Sequence, residues 1–551
     1  MSFCTNCGKP LLSAGMRCLH CNPRTSLAER RAGGLHSNAT ANRSFSVSAS
    51  ARIAISQALL VVPPNLASDI RLGLEKHNIK PLELLVVDTP TSAQEQAQQA
   101  SRRLQSQHRL KFICLIGDWQ QIPPFKVVNP SQQCAHSDPF CITDGLYGCI
   151  EPWTPTDIFS AVPSVPVGRI PSSNAAVILQ TLLEAPATTD PAKSFAFGVS
   201  ADYWSEATQA IVGQFTNSVQ KTRIISGPQE SDFPKAGILA SPDWSEDDLR
   251  TELSNTSLPA GAVLLFNVHG SPDEAVWVGD GDEGCPEILR NDTIQSFNQS
   301  ILLTEACYGG ALGYDEPSIA ESFFEHGGKA FVGCSVIAWG SVNASLTGSP
   351  TQNLCGADLI ALHFFKALQQ GKNLGDALTS AKLATISGHP EEDQIAQKTV
   401  LSFNLFGAPW HALKTTSSLY RPPHRQEQNG SILDQIRNRR TEETADDLND
   451  SLQSIRDSYR QRLPNPSQWF LIESQEALAR LNQFKDKSKI DAFLSTMHVS
   501  FDECDFETLQ LNDDIFFRIA GKSVKHSNAV HQFMLVMDQA GQLTQTLTTK
   551  G

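Results

Sequence analysis

The chain has 551 residues, of which 40% are hydrophobic and 19% charged, and its formal net charge is −14. This length predicts roughly two to four domains, and the hydrophobic fraction excludes a chain that is disordered throughout. The negative charge argues against a general nucleic-acid-binding protein, because such binding relies on Lys and Arg that neutralise phosphates. No apolar run of about 18 residues occurs, so no membrane span is expected.

The cysteines and the first residues bear on the compartment. The chain contains 13 cysteines, an odd count that is untypical of a secreted disulfide framework. The opening sequence MSFCTNCGKP lacks a basic segment followed by an apolar one, so we expect no secretory signal. We therefore expect a cytoplasmic protein in a reducing compartment.

Residues 1–23 contain two Cys-x-x-Cys pairs and predict a small zinc ribbon. The four candidate ligands are Cys4, Cys7, Cys18 and Cys21. Two such turns offer four thiolates in the tetrahedral arrangement that Zn²⁺ prefers, and four protein ligands leave no open position, so the zinc would be structural. The alternative, a redox Cys-x-x-Cys pair, lacks the expected βαβ context. Residues 24–50 are rich in Ser, Ala and Asn and predict a flexible linker.

Residues 51–190 predict an α/β subdomain. Short apolar runs at 59–62, 82–88 and 112–117 alternate with helix-like segments such as 92–107. Strands that alternate with helices predict βαβ units and a mostly parallel sheet. A loop in this part brings together four metal-ligating side chains, for which a second metal site and an ordinary cysteine-rich loop both remain open. They are Cys134, His136, Cys141 and Cys149.

Residues 191–415 contain two apolar runs that each end in a chemically capable side chain. The run from Val263 leads into His269-Gly270, and the run from Ile301 leads into Cys307. Functional groups collect at the carboxyl edge of an open α/β sheet, so neighbouring strands would place the two side chains together. A Cys–His dyad pairs a nucleophile with a proton-transfer group, and the N–H groups of Gly270 and Cys307 are candidate oxyanion donors. The alternative is a buried strand cysteine and an ordinary core histidine.

Residues 416–551 predict a linker followed by a small α+β domain for recognition or regulation. Thr441 begins a helix-like segment with early acidic residues, and the later runs 514–519 and 532–538 alternate as strands do. No motif in this region identifies a partner, and a purely structural role remains open.

The chain resembles the clan CD cysteine peptidases, the class of caspases, legumains, separases and gingipains. The resemblance rests on the apolar strand before His269-Gly270 and the strand before Glu305-Ala306-Cys307, and the gingipain pattern extends over about residues 55–412. It implies a caspase-like α/β sandwich, peptide-bond hydrolysis through a thioester, Cys307 as the nucleophile and His269 as the general acid/base. The lack of an expected signal and the zinc ribbon depart from the secreted gingipains.

Specificity is also suggested by the resemblance. It makes Asp144 a candidate acidic residue of the pocket for the substrate residue before the cleaved bond (P1), where it would favour arginine; alternatively Asp144 caps a turn. Trp339 would form a wall of this pocket or belong to the core. The acidic turn with Asp280, Asp282 and Glu283 could line a basic-residue pocket or bind Ca²⁺, although a solvated turn is favoured.

Two functional hypotheses follow. The first is a cytoplasmic caspase-like endopeptidase that cleaves selected partner proteins after Arg or Lys and needs no catalytic cofactor. An activating or recruiting protein partner is expected, and the resemblance implies a role in prokaryotic defence or cell death. The second is a catalytically silent scaffold that binds protein, or less favourably nucleic acid, through its zinc ribbon.

Overall fold

The computed structural model of the chain describes most of the residues between 47 and 413 and a C-terminal part from 470. The described residues are 2–3, 10–11, 47–131, 138–149, 158–184, 196–201, 204–216, 238–240, 261–279, 287–294, 297, 299–341, 354–388, 393–413, 470–471, 474–497, 499–511, 514–524 and 530–549. The chain divides into two compact units, Met1–Phe45 and Ser46–Gly551.

In the first unit the described residues form two short antiparallel strands, β1 (Ser2–Phe3) and β2 (Pro10–Leu11). Several residues named above lie outside the described residues. They are the four predicted zinc ligands Cys4, Cys7, Cys18 and Cys21, the loop residues Cys134 and His136, the acidic residues Asp280, Asp282 and Glu283, and Thr441.

The second unit contains all the longer elements. Its strands before residue 200 are β3 (Ala58–Val62), β4 (Glu83–Val86), β5 (Phe112–Ile116), β6 (Phe125–Val128), β7 (Phe140–Thr143), β8 (Val167–Ile170) and β9 (Ala196–Ser200). The next are β10 (Ile238–Ala240), β11 (Val263–Asn267), β12 (His269–Gly270), β13 (Val276–Val278), β14 (Glu287–Arg290), β15 (Ile301–Thr304), β16 (Ala330–Cys334), β17 (Trp339–Ser341) and β18 (Phe403–Gly407). The last are β19 (Phe470–Leu471), β20 (Asp505–Leu511), β21 (Asp514–Val524), β22 (Val530–Met537) and β23 (Leu543–Thr549).

Eleven α-helices lie among the described residues of this unit. They are α1 (Ala49–Ile55), α2 (Pro64–Lys76), α3 (Pro90–Ser106), α4 (Ala175–Leu183), α5 (Ser205–Thr216), α6 (Ile319–Glu325), α7 (Ala357–Gln369), α8 (Leu374–Gly388), α9 (Asp393–Ser402), α10 (Ser474–Leu481) and α11 (Lys487–Thr496). None of these helices has both the length and the apolar character that a membrane span requires.

The central sheet has ten strands in the order β10-β9-β11-β15-β16-β18-β8-β5-β3-β4. All neighbours are parallel except β16 and β18, which are antiparallel. The sheet therefore consists of two parallel halves that run in opposite directions, and their carboxyl edges lie at opposite ends. This arrangement confirms the predicted mostly parallel α/β fold.

Helices cover both faces of the sheet because its strands are apolar on both sides. In β11, Val263 and Leu265 belong to the core shared with α7 and α8, while Leu264 and Phe266 belong to the core shared with α6. The alternation along one strand shows that the sheet is a middle layer.

The C-terminal region forms a six-stranded antiparallel sheet in the order β17-β23-β22-β21-β20-β19. Helices α10 and α11 share a hydrophobic core with one face of this sheet. The small α+β fold predicted for this region is confirmed, but its edge strand β17 comes from the residues predicted to be catalytic. Backbone pairing therefore joins the C-terminal sheet to a strand from before residue 416, and the domain boundary there stays a prediction.

Candidate active site

The register between two neighbouring strands brings the predicted dyad to one edge. Strands β11 and β15 are parallel, and Phe266 is paired with Thr304. His269 lies three residues beyond the first and Cys307 three residues beyond the second, so both leave the sheet at the same carboxyl edge. The sequence-based expectation that the two strands are adjacent is met by this pairing.

Gly270 is the residue through which the two segments touch. A Cβ atom placed on Gly270 would lie 1.9 Å from the carbonyl oxygen of Cys307 and 3.2 Å from the Cβ of Ala306. Only glycine permits this approach, because any other side chain would overlap backbone that cannot rotate away. The two residues predicted to donate N–H groups to an oxyanion therefore lie side by side.

The chain turns sharply just after Cys307. Tyr308 has a φ of 56°, which is an uncommon backbone conformation for a bulky residue, and its N–H donates to the carbonyl of Val336 at 3.0 Å. Gly310 then donates its N–H to the carbonyl of Cys334 at 2.7 Å. Strained backbone of this kind is found at functional sites, and here it holds the residues around Cys307 against the end of β16.

The Cys307 thiol is completely buried beneath the segment that leads into β17. The Ala338 N–H donates to Cys307 Sγ at 3.1 Å. Burial raises the pKa of Cys307 to about 12, while the Ala338 N–H and the nearby Lys398 lower that pKa in part. The thiol is therefore protonated at neutral pH in this conformation, although the reactive form is the thiolate.

The His269 side chain is also buried and packs against an aromatic ring. The ring centroids of His269 and Trp204 are 4.5 Å apart with an interplanar angle of 59°. His269 starts β12, which pairs with β13 in a three-stranded antiparallel sheet. The imidazole is thus placed by backbone pairing on one side and by the indole on the other.

A small pocket that is partly open to solvent lies beside the nucleophile candidate. Its lining includes Ser271, Glu274, Trp277, Cys307, Tyr308 and Tyr314. The hydroxyl group of Tyr314 donates to the carbonyl of Ser271 at 3.0 Å and thereby links the segment after His269 to the segment after Cys307. The lining of this pocket combines aromatic rings with one acidic group.

A polar network that the sequence did not predict surrounds Cys307. Asp138 accepts hydrogen bonds from the Tyr308 hydroxyl at 2.6 Å and from the Ile337 N–H at 2.9 Å. The buried Lys398 ammonium donates to the Ile337 carbonyl. The two charged side chains thus hold the segment whose Ala338 N–H contacts the thiol. The available sequence signal was a lysine among the apolar residues of α9, but only the fold reveals what it faces.

The structure shows Asp144 in a buried ion pair. The Arg169 Nε and one terminal nitrogen donate to the two carboxylate oxygens of Asp144, each at 2.6 Å, and both side chains are buried. Because this bidentate ion pair occupies both oxygens, Asp144 is not available to a substrate arginine in this conformation. In this conformation the ion pair joins the end of β7 to β8, and the assignment of Asp144 to a P1 pocket stays a prediction.

Trp339 is buried and lies in β17, directly after the segment that covers the thiol. It belongs to a small core with Cys355, Ile395 and residues of β22 and β23. In this conformation it is a core residue close to the site, and a wall of the P1 pocket remains a proposal. Among the described residues, no group of three His, Cys, Asp or Glu side chains is arranged to hold a metal ion.

Comparison with known proteins identifies the class of this site. The family model described as Peptidase family C25 matches residues 86–414, which is more than half of the chain. The chain therefore belongs to peptidase family C25, a family of cysteine peptidases of the gingipain type, and is a hydrolase by membership. A search of curated proteins gives no match.

Two solved structures are distantly similar to the chain. The Arg-specific cysteine proteinase gingipain R (RgpB) is 10% identical, with a TM-score of 0.45, and the match covers 89% of this chain and 96% of that one. A complex of Porphyromonas gingivalis RgpB pro- and mature domains is 12% identical, also with a TM-score of 0.45, covering 89% and 99%. At this distance neither structure assigns roles to residues of this chain.

Proposed function

We propose that the chain is a cysteine endopeptidase in which Cys307 is the nucleophile and His269 the general acid/base. The observation that carries this proposal is the packing of His269-Gly270 against Cys307 at one edge of two parallel strands, in a member of a cysteine peptidase family.

In the proposed reaction the Cys307 proton passes to His269 as Sγ attacks the substrate carbonyl. The resulting oxyanion would accept hydrogen bonds from the N–H groups of Gly270 and Cys307, which act where negative charge develops. His269 then gives the proton to the leaving amine, and a thioester forms. Water hydrolyses the thioester with His269 as the base and restores the thiol.

We further propose that a substrate or protein partner opens the site before the reaction. The thiol is fully buried and its pKa is raised to about 12 by that burial, so this conformation is a resting one. Exposure to solvent would remove the cost of desolvation and lower the pKa. A partner that binds only the open form would therefore activate the enzyme, which suits cleavage of selected proteins in defence or cell death better than bulk proteolysis.

A preference for cleavage after Arg or Lys is part of the proposal, and Glu274 is the acidic residue that we propose for it. Glu274 lines the pocket beside Cys307, and its side chain is 61% exposed and lies 3.5 Å from Arg290 in a partly exposed ion pair that a substrate Arg or Lys would replace. The net charge of −14 also favours basic substrates. Glu274→Gln should lower kcat/KM for peptides with Arg or Lys before the cleaved bond and leave neutral peptides unaffected. An unchanged ratio would reject Glu274 as the selecting residue.

The experiment that tests catalysis is mass-spectrometric profiling of a peptide library with the full chain and its variants. Cleavage should disappear in Cys307→Ala and His269→Ala. Cys114→Ala is the matched control, because Cys114 is an equally buried cysteine in the other half of the sheet. If profiling with candidate partners present gives no cleavage by the wild type, the catalytically silent scaffold becomes the better description. The complete burial of Cys307 is the observation that favours this alternative.

We also propose that residues 1–23 bind one structural zinc ion through Cys4, Cys7, Cys18 and Cys21. The antiparallel pair of β1 and β2 supports this, since the two strands flank the first Cys-x-x-Cys turn in sequence. Elemental analysis should find one zinc per chain, and Cys4→Ser/Cys7→Ser should lose it. Cytoplasmic localisation is likewise a proposal, consistent with the fact that no disulfide joins the described cysteines.

A further inference from the structure

The last described strand, β23, contacts two segments of the candidate active site. One is the segment that covers Cys307, and the other contains Trp204. In β23, Leu547, Thr548 and Thr549 pair antiparallel with Ser341, Gly340 and Trp339 of β17. Strand β17 begins one residue after Ala338, whose N–H donates to Cys307 Sγ. The C-terminal sheet is therefore joined by backbone hydrogen bonds to the segment that covers the nucleophile.

The same strand also holds the residue that packs on the histidine. The Trp204 indole N–H donates to Thr548 Oγ1 at 3.0 Å, and both side chains are buried. The same indole packs against the His269 ring, with a distance of 4.5 Å between the ring centroids. The indole N–H is the only polar group of this side chain, so its hydrogen bond helps to orient the ring within the surrounding core.

Hydrophobic packing supports the same link. Ala201 and Trp204, which follow β9 of the central sheet, share a core with Leu481, Phe493 and other residues of α10, α11 and the C-terminal strands. Trp339 shares a second core with Met534, Val536 and Leu547 on the other face of the C-terminal sheet. The C-terminal sheet is thus packed through both faces onto segments that contact the dyad.

From these contacts we infer that the C-terminal sheet completes the active site, and that Thr548 is a positioning residue that acts on His269 through Trp204. The inference rests on the proposed function for its catalytic consequence. It assigns to residues 470–549 a role that their sequence did not indicate: they set the geometry of a dyad at the carboxyl edge of the central sheet.

The test compares three variants of the full chain. Thr548→Val removes the acceptor at constant shape, and Thr548→Ser retains it. Thr549→Val is the control, because Thr549 Oγ1 accepts a hydrogen bond of the same kind from the Gln532 N–H at 3.1 Å, within the C-terminal sheet. Thr548→Val should lower kcat by about tenfold with little change in KM, since a misplaced dyad affects the reaction more than binding. Thr548→Ser should recover the loss, and Thr549→Val should show none.

A second measurement does not depend on proteolysis. Trp204 covers His269, whose side chain is buried. The rate at which diethyl pyrocarbonate modifies His269, followed by mass spectrometry of its peptide, should therefore rise in Thr548→Val and in Trp204→Phe but not in Thr549→Val. If the wild type cleaves no peptide, the proposed function fails, while this rate still decides the inference.

The double variant keeps the inference falsifiable if single changes also weaken folding. Because Thr548→Val and Trp204→Phe break the same hydrogen bond, their effects on the His269 modification rate should not add. Equal rates in the wild type, Thr548→Val and Thr549→Val would overturn the inference, as would full additivity in the double variant.

Discussion

Replacing Gly270 with alanine tests the arrangement on which the proposed active site depends. The new Cβ would lie 1.9 Å from the Cys307 carbonyl oxygen, whereas real Cβ contacts below 3.0 Å essentially do not occur. The two backbones must therefore separate by about 1 Å, a misplacement that costs about 100-fold in rate when it affects reacting groups. Overpacking of this kind lowers the free energy of unfolding by about 1–3 kcal/mol.

The assay is the rate at which a peptidyl acyloxymethyl ketone labels Cys307, measured by mass spectrometry, together with urea unfolding of the same samples. Gly213→Ala is the control, because Gly213 lies in α5 and its new Cβ would have nothing within 4 Å. It should leave labelling unchanged and raise stability by about 0.5–1 kcal/mol, the usual difference between Ala and Gly in a helix. Labelling of Gly270→Ala at the rate of the wild type would show that Gly270 does not lie against Cys307.

Three further predictions concern charge and burial. Asp144→Asn leaves the buried Arg169 guanidinium without its counter-ion, so the free energy of unfolding should fall by about 3–5 kcal/mol in urea unfolding; a change near zero would contradict the ion pair. Lys398→Met removes a cation that lowers the pKa of Cys307, so the pH at which the labelling rate of Cys307 reaches half of its maximum should rise. An unchanged pH dependence of this rate would show that Lys398 does not affect the Cys307 pKa. Burial lowers the pKa of His411 to about 4, below its ordinary value of 6.5. Between these two values the unfolded chain binds a proton that the folded chain does not, so the contribution of His411 to the free energy of unfolding is complete above pH 6.5 and is lost as the pH falls towards 4. In thermal unfolding the loss of Tm over this range should be smaller in His411→Gln, which does not titrate there, and equal losses would refute the assignment.

The position of each dyad residue at the end of a strand could be predicted from the sequence, because it depends only on neighbouring residues. An apolar run that ends in His269-Gly270 and another that ends in Cys307 define two buried strands, and parallel strands bring their carboxyl ends to one edge. The mostly parallel sheet could be predicted because strands alternate with helices along the chain, and the C-terminal strands because their side chains alternate between apolar and polar. The antiparallel pairing of the C-terminal strands was not predicted.

The ion pair of Asp144 with Arg169 could not be predicted from the local sequence. An acidic residue in a loop has the same local signature whether it faces a substrate or a buried partner, and the partner, Arg169, is 25 residues away. Asp138 and Lys398 went unnoticed for the same reason, because their common target is the backbone of Ile337. A lysine among apolar residues can be seen in the sequence, but the backbone group that it contacts cannot.

The sequence by itself therefore determined the class of fold, the nucleophile and histidine candidates, and the resemblance to the family to which the chain belongs. Only the tertiary structure decided that the thiol is buried, that Asp144 is paired with Arg169, and that Thr548 reaches Trp204. The physical reason is that periodicity and strand ends are encoded by neighbouring residues. Burial, ion pairing and the packing of a C-terminal sheet onto a distant site depend on which segments meet when the chain folds.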